Sequence, residues 1–405
     1  MSTITDTTTS AAEEARTWIA EHWSGSDTAE WRSAVVHAGW AVPTWEKGNF
    51  GRGLSRKDAA IVAQQFQAVD APGAALDLNA FRSKPWLHLL GNPLRAFGSE
   101  AIRAELLPKI LSGEIAIGCL LYSEPGAGSD LAGLQTRAEL DGDEYVVNGQ
   151  KIWTTGGHEA QFALLLARTD WDVVKHAGLS FFVLDMNTAG IEVRPIKQIT
   201  GDTEFNEVFL TDVRVPAARM VGAPGEGWKV VQTALAAERA GMGESVQTET
   251  TRGSIAGEAA ELVAAAKLAG RESDPITRQE IARLLAWKLS NKWTGERALF
   301  EARRGSFALA NVGKLAMSRI MHGTGDLEYR LQGRASFVYD YENPLDYPVD
   351  RDLMFAFINS IGGGSDQIQR NIISERVLGL PKGYEPDKGA AFRDIRKDDT
   401  SRKDR

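Results

Sequence analysis

The feature that most constrains the fold of this chain is its hydrophobic periodicity, which changes twice along the sequence. Up to about residue 113, apolar residues recur at helical spacing around a glycine-rich loop at 45–53. From 118 to about 225, short apolar runs alternate with Gly, Asp and Asn, which is typical of strands. Helical spacing then returns and continues to about 380. The order of helices, strands and helices predicts an α+β protein.

The individual elements follow from the same periodicity. Helices are predicted at 57–70, 74–90, 100–111, 228–248, 255–269, 277–304, 311–324 and 368–378. Strands are predicted at 144–147, 162–167, 179–184, 191–196 and 207–215, with a hairpin turn at Asn148-Gly149 because both residues tolerate positive φ. We expect an N-terminal helical domain (1–115), an antiparallel β-barrel domain (116–225), a C-terminal four-helix bundle (226–381) and a polar, mobile tail (382–405).

Composition excludes several classes of function. The formal charge of −8, from 54 acidic and 46 basic side chains, argues against nucleic acid as a partner. No apolar run approaches the roughly 20 residues that cross a bilayer, and the polar N-terminus does not resemble a secretory signal, so no membrane partner is expected. Cys119 is the single cysteine and the six histidines lack ligand spacing, so we expect a cytoplasmic protein without a metal site.

Two short motifs carry most of the chemical information. In LLYSEPGAGSDLAG, at 120–133, Gly126 and Gly128 permit close approach to a ligand, and Ser123 and Ser129 supply hydroxyls. A Gly/Pro turn that simply leads into the strand domain is an alternative explanation of this loop.

The second motif is GQKIWTTG, at 149–156. Trp153 offers a flat apolar face for an aromatic cofactor, and Thr154 and Thr155 offer hydroxyls for a ring nitrogen. A tryptophan buried in the core of the strand domain is the alternative. The occurrence of both motifs in this order weakens the two structural alternatives.

These motifs, followed by TEFNEVFLTDVRV (203–215), GEGW (225–228) and IGGGSDQIQRNIISERVLGLP (361–381), resemble the acyl-CoA dehydrogenase family. The resemblance extends from about Gly39 to Pro381. It implies the helix, β-barrel, helix architecture and an FAD enzyme that removes hydrogens from the α and β carbons of an acyl-CoA. It also implies electron-transfer flavoprotein as the electron acceptor.

The resemblance further implies a set of ligand contacts. Trp153 corresponds to a residue beside the isoalloxazine, and Thr155 to a hydrogen-bond partner of its N5 edge. The implied FAD contacts are Leu120, Leu121, Tyr122, Ser123, Gly128, Ser129, Trp153, Thr154, Thr155, Arg271, Ser365 and Gln367. The implied substrate contacts are Ser129, Arg239, Gly363 and Gly364, where the N–H of Gly363 polarises the thioester carbonyl.

The catalytic base is expected at Glu238. The commoner position of the base in the family is occupied here by Gly363, which carries no carboxylate. The second known position lies in a Leu-x-x-Glu-Arg pattern, which 235–239 match, as in isovaleryl-CoA dehydrogenase. At 100° per residue, Glu238 also falls on an apolar helix stripe, where burial raises the pKa of a carboxyl. From the residues alone, a structural ion pair with Arg239 remains the alternative.

The chain departs from the family pattern where members grip the FAD of a neighbouring subunit. Residues 270–274 keep Arg271 but lose the following Phe-Gly, and 331–338 contain no Gly-Gly-x-Gly. We therefore expect either an α2β2 heterotetramer with a related chain or a homo-oligomer that holds FAD less tightly. The pattern resembles the actinobacterial steroid-degrading branch, which implies a bulky, branched or steroid side-chain acyl group. A flavin oxidase or monooxygenase, or a non-catalytic partner subunit, are the competing functions.

Overall fold

A computed structural model describes residues 3–78, 87–244, 255–302, 309–338, 348–385 and 387–395. The chain forms two compact units, which we describe one at a time. The first comprises 1–195, 204–234 and 387–405, and the second 196–203 and 235–386, each within its described residues.

The first unit begins with helices that surround an aromatic core. They are α1 (Thr3–His22), α2 (Ala29–His37), α3 (Arg56–Gln67), α4 (Asn92–Phe97) and α5 (Glu100–Ser112). Thr28, Ser55 and Ser99 cap α2, α3 and α5, since each side chain accepts a hydrogen bond from a backbone N–H in the first turn. Trp40 and Phe66 are buried, with ring centroids 6.2 Å apart. The helices predicted at 57–70 and 100–111 are confirmed.

The helix predicted at 74–90 is wrong at its start, while its last residues, 87–90, are helical and 79–86 lie outside the described residues. That stretch holds a short 3-10 turn at Leu76–Leu78 and a π turn at Leu87–Gly91. Ala75 has a φ of 52°, outside the right-handed helical region, and the N–H groups of Ala75 and Leu76 donate to the carbonyls of Trp40 and Ala41, at 2.9 and 2.7 Å.

A seven-stranded sheet follows in the first unit. Its strands are β1 (Gly118–Leu121), β2 (Arg137–Asp141), β3 (Glu144–Thr155), β4 (Phe162–Arg168), β5 (Leu179–Asp185), β6 (Ile191–Pro195) and β7 (Phe205–Pro216). The order is β1-β4-β2-β3-β7-β6, and β5 pairs with β4. The β1–β4 pair is parallel, so the sheet is mixed and not purely antiparallel as expected. The α+β class and the strand-rich centre are confirmed.

The hairpin predicted at Asn148-Gly149 is wrong, because these residues lie inside β3. The turn lies at 142–143, between β2 and β3, where Gly142 has φ 68°. Gly149 serves a close approach, since an added Cβ would lie 2.4 Å from Oγ1 of Thr136. Asn148 exchanges hydrogen bonds with Asp212 on β7 at an irregular step of the register.

The second unit consists of helices. Their bounds are α6 (Gly227–Glu244, whose first residues belong to the first unit), α7 (Ile255–Leu268), α8 (Pro275–Ala302), α9 (Ala310–Gln332), α10 (Pro348–Ile361) and α11 (Asp366–Ile372). Leu262, Ile281, Leu284, Leu327 and Leu331 form a buried cluster that joins α7, α8 and α9, as a bundle requires. Among the described residues, no helix has the length and apolar character that a membrane crossing requires.

The predicted mobile tail requires a correction at 387–395. Phe392 is buried, and its N–H donates to the carbonyl of Val173 at 2.9 Å. The single apolar ring in an otherwise charged stretch thus gives this segment a packed position in the first unit. Residues 382–385 of the tail are exposed, and 386 and 396–405 lie outside the described residues.

Candidate active site

The first candidate motif comprises the end of β1 and the open loop that follows it, and we call the whole segment the glycine loop (Leu120–Gly133). Glu124 and Ala127 exchange backbone hydrogen bonds of 3.1 and 3.0 Å, which closes a tight turn across two residues. Apart from its chain neighbours, a Cβ added at Gly126 or Gly128 would meet no atom within 4 Å in the part of the chain that the structure describes. The outer side of the loop is therefore free to receive a ligand, and Ser129 is exposed on it.

Trp153 lies at a strained and exposed position near the end of β3. Its φ is 63°, in the left-handed region, and its side chain is 57% exposed. The register between β3 and β7 shifts between Lys151 and Thr154, so Trp153 projects from an irregular step of the strand. Such backbone conformations cost about 1–3 kcal/mol and cluster at ligand sites. The alternative of a buried core tryptophan is wrong.

The fold brings the two motifs side by side. The N–H of Ile152 donates to the carbonyl of Ser123 at 3.0 Å, and the hydroxyl of Thr154 donates to the carbonyl of Leu120 at 3.4 Å. Segments separated by more than twenty residues in the sequence thus form one surface of the first unit. Thr155 is exposed beside Trp153 on this surface.

Three of the expected cofactor residues have buried side chains. Leu121, Tyr122 and Thr154 are 0%, 6% and 1% exposed. The hydroxyl of Thr154 is already bonded within the sheet, so the proposed role of Thr154 changes from a hydroxyl contact to support of the strand end. Ser123 and Leu120 are half-buried.

A buried ion pair joins the two motifs, and sequence reasoning missed it. Nζ of Lys151, which is 0% exposed, donates to Oε1 of Glu124 at 2.9 Å and to the carbonyls of Tyr122 and Leu166. The Glu124 carboxylate also accepts from the N–H groups of Gln135 and Thr136, at 2.6 and 2.8 Å. The available signal was the sparse charge of the two motifs, in which Glu124 and Asp130 are the charged residues of the first and Lys151 that of the second.

The electrostatics of this pair follow from its burial. Burial raises the pKa of the Glu124 carboxyl, but the Lys151 ammonium and the hydrogen bonds from Thr136 and Gln135 outweigh it and hold that pKa below its usual value. Burial lowers the pKa of Lys151, and Glu124 offsets this only in part. The pair therefore fixes both ends of the glycine loop to the strand that carries Trp153.

In the second unit, a glycine-rich turn connects α10 to α11. Gly363 and Gly364 have φ values of 64° and 91°, which favour glycine. Nε2 of the fully buried Gln369 donates to both of their carbonyls, at 3.1 and 3.3 Å. Ser365 then caps α11 by accepting from the N–H of Ile368, and Gln367 is exposed.

The chain matches family models along nearly its whole length. The N-terminal, middle and C-terminal domains of acyl-CoA dehydrogenase match residues 3–114, 119–213 and 225–378. Acyl-CoA dehydrogenase IpdE1 of Mycobacterium tuberculosis is 37% identical over 375 residues, which cover 89% of this chain and 90% of that protein.

This chain belongs to the acyl-CoA dehydrogenase family. Solved structures of the family agree. The Tcur3481-Tcur3483 steroid ACAD has a TM-score of 0.69 at 25% identity, covering 93% of this chain and 98% of that one. The ChsE4-ChsE5 complex from Mycobacterium tuberculosis has a TM-score of 0.66 at 27% identity, with the same coverage.

As an acyl-CoA dehydrogenase, the protein is an FAD-dependent oxidoreductase. The surface in the first unit fits this cofactor, because an exposed indole lies beside a loop whose glycines face open space. The fit is chemical as well, since the indole offers a stacking face and the serine and threonine hydroxyls offer polar contacts.

The remaining predicted site residues belong to the second unit. Glu238 and Arg239 lie on α6, which confirms the predicted helix, but their side chains are outside the described part of the chain. Arg271 is exposed, after the end of α7. The apolar surroundings expected for Glu238 stay a prediction.

Proposed function

We propose that this acyl-CoA dehydrogenase oxidises the α–β bond of a CoA thioester with Glu238 as the base. The observation that carries the proposal is the Gly363-Gly364 turn. At the family's commoner position of the base, this turn has a glycine, which offers a backbone N–H but no side-chain carboxylate. The Leu-x-x-Glu-Arg pattern on α6 supplies the carboxylate instead.

Different residues of the chain have different roles in the proposed reaction. Glu238 removes the α proton as a general base. The N–H of Gly363 donates to the thioester carbonyl and stabilises the charge that develops there. FAD, when bound, supplies the acceptor for the hydride that leaves the β carbon.

The cofactor and substrate contacts are proposed from the same resemblance. Trp153 packs against the flavin, Thr155 donates to its edge, and Ser123, Gly128 and Ser129 line its loop. Their exposure or half-exposure supports these roles. In the second unit, Ser365, Gln367 and Arg271 complete the proposed cofactor contacts, and Gly364 and Arg239 the substrate contacts.

For the substrate, we propose a bulky or branched acyl-CoA, such as a steroid side-chain thioester. The support is the similarity, over 93% of this chain, to the Tcur3481-Tcur3483 steroid ACAD. For the assembly, we propose pairing with a related chain, supported by the similarity to the ChsE4-ChsE5 complex and by the altered 331–338 region. Electron-transfer flavoprotein is the proposed acceptor, and the cytoplasm the proposed location.

Replacement of the proposed base tests the mechanism. Glu238→Gln should retain FAD but slow flavin bleaching by an acyl-CoA substrate by about 10²–10⁴-fold, the usual contribution of a general base. Stopped-flow absorbance at the flavin band measures this rate. Glu296→Gln, at an exposed carboxylate on α8, is the matched control and should bleach normally. Normal bleaching in Glu238→Gln would place the base elsewhere.

A further inference from the structure

Arg168, at the end of β4, is a fully buried cation that binds the far end of the glycine loop. Its side chain is 0% exposed. Nη2 donates to the carbonyl of Ala132 at 2.7 Å, and Nε donates to that of Leu134 at 3.2 Å. Nη1 donates to the carbonyl of Lys175 at 3.0 Å. Each of the three guanidinium nitrogens therefore donates to a backbone carbonyl, and two of these carbonyls belong to the segment that follows Ser129.

The buried charge persists at neutral pH. Burial lowers the pKa of Arg168 to about 10, and the negative charges of Glu124, Asp130 and Asp170 oppose the shift. Asp130 is held from outside by Nζ of Lys175, at 2.8 Å. The segment after Ser129 is thus fastened by Arg168 from the inside and by Lys175 from the surface.

Phe392, from the C-terminal segment, covers this guanidinium. The ring centroid lies 3.4 Å from Cζ of Arg168, and Phe392 is 3% exposed. The segment is fixed by backbone bonds from Phe392 to Val173 and from Arg393 to Trp171, at 2.9 and 3.0 Å. Arg393 also donates to Asp172 at 2.6 Å. The ring keeps water away from a cation whose three nitrogens each donate to a carbonyl.

We propose that Arg168 and Phe392 are positioning residues for the ligand face of the glycine loop, so that the C-terminal segment contributes to FAD binding. The inference rests on the proposed ligand role of Ser129 and Gly128. Without the ring, water reaches the guanidinium and competes for its bonds to Ala132 and Leu134. The loop then samples more conformations, and binding must restore the ordered one.

Phe392→Ser tests the inference against a matched control. Amide hydrogen exchange at 130–134 of the apoprotein should accelerate by about tenfold or more, and the FAD dissociation constant should rise by about tenfold. Phe392→Tyr keeps the ring and should behave like the wild type. Phe209→Ser removes the other Arg–Phe stack of the sheet, with the exposed Arg194 at 4.5 Å, and should leave both quantities unchanged.

The outcomes separate this inference from the proposed function. Unchanged exchange at 130–134 in Phe392→Ser would overturn the positioning role, whatever the activity. Faster exchange with unchanged FAD affinity would overturn the link to the cofactor. Wild-type protein that binds no FAD would contradict the flavin site, while the exchange measurement would still decide the positioning role. If Phe392→Ser does not fold, Phe392→Leu provides the same comparison with less lost apolar area.

Discussion

At the scale of single residues, the Glu124–Lys151 pair combines a structural and a site-building role. Two charges taken out of water are costly, and only the carbonyl and N–H partners around them make the arrangement tolerable. Removal of one partner leaves the other charged and unpaired. Substitution of either residue should therefore alter the backbone beneath Trp153, although neither side chain contacts a ligand in the proposed site.

Lys151→Met should destabilise the protein by about 3–5 kcal/mol at pH 7, the usual cost of breaking a buried pair. In the wild type, the lowered pKa of Glu124 gives stability above its unfolded pKa, which is lost as the pH falls through the folded pKa. Without Lys151, burial raises the Glu124 pKa instead, so the penalty grows with rising pH. Thermal unfolding should thus show a larger gap to wild type at pH 7 than at pH 4.5.

The added replacement Glu124→Gln in the Lys151→Met background should recover part of the loss, because no unpaired charge remains. Arg194→Met, which breaks an exposed pair with Glu192, is the control and should change the melting temperature little. A double variant as unstable as Lys151→Met at every pH would show that the charge is not the cause.

At the scale of elements, the sequence predicted what depends on local periodicity. The helices at 56–67 and 100–112 follow from it because one face of each is buried, and β4 and β5 follow from continuous apolar runs because they are buried on both faces. The Asn148-Gly149 hairpin failed because the close approach of Thr136 and the contact with Asp212 are long-range. The parallel pairing of β1 with β4 and the burial of Glu124 and Lys151 were not predicted, because they too depend on long-range contacts.

Two alanine substitutions distinguish the structural from the ligand-facing glycines. Gly149→Ala places a Cβ against the Cα and side chain of Thr136 and should destabilise the protein by about 1–3 kcal/mol. Gly128→Ala meets no neighbouring atom and should leave stability unchanged, but it should weaken FAD binding. Chemical denaturation and flavin titration measure the two effects. A stable Gly149→Ala protein, or unaltered FAD affinity in Gly128→Ala, would contradict the assignment.

At the scale of the whole molecule, the two compact units each carry part of the predicted site. The glycine loop and Trp153 belong to the first, and Glu238 and Gly363 to the second. The family resemblance predicted both parts from short motifs, and the boundaries 115/116, 225/226 and 381/382 stay as proposals. The shape of the substrate pocket depends on how the helices pack, which no short motif determines. The sequence therefore predicted only the class of acyl group, a bulky or branched one, and not its identity.

The assembly proposal predicts incomplete flavin loading of the isolated chain. After desalting, the chain purified alone should retain fewer than one FAD per polypeptide, because the neighbour-binding region at 331–338 lacks the family's glycine pattern. Coexpression with a related chain should raise the ratio and give a heterotetramer by light scattering. A homo-oligomer with one FAD per chain would contradict the pairing.

The spacing between Gly149 and Trp153 has a consequence for how this protein can diverge. In a regular strand, residues two apart face the same side, so the buried Lys151 ammonium and the exposed Trp153 indole both depend on the irregular step between Lys151 and Thr154. Loss of that irregularity would turn the two side chains to one face, so a change at these few positions alters the packed interior and the ligand surface together.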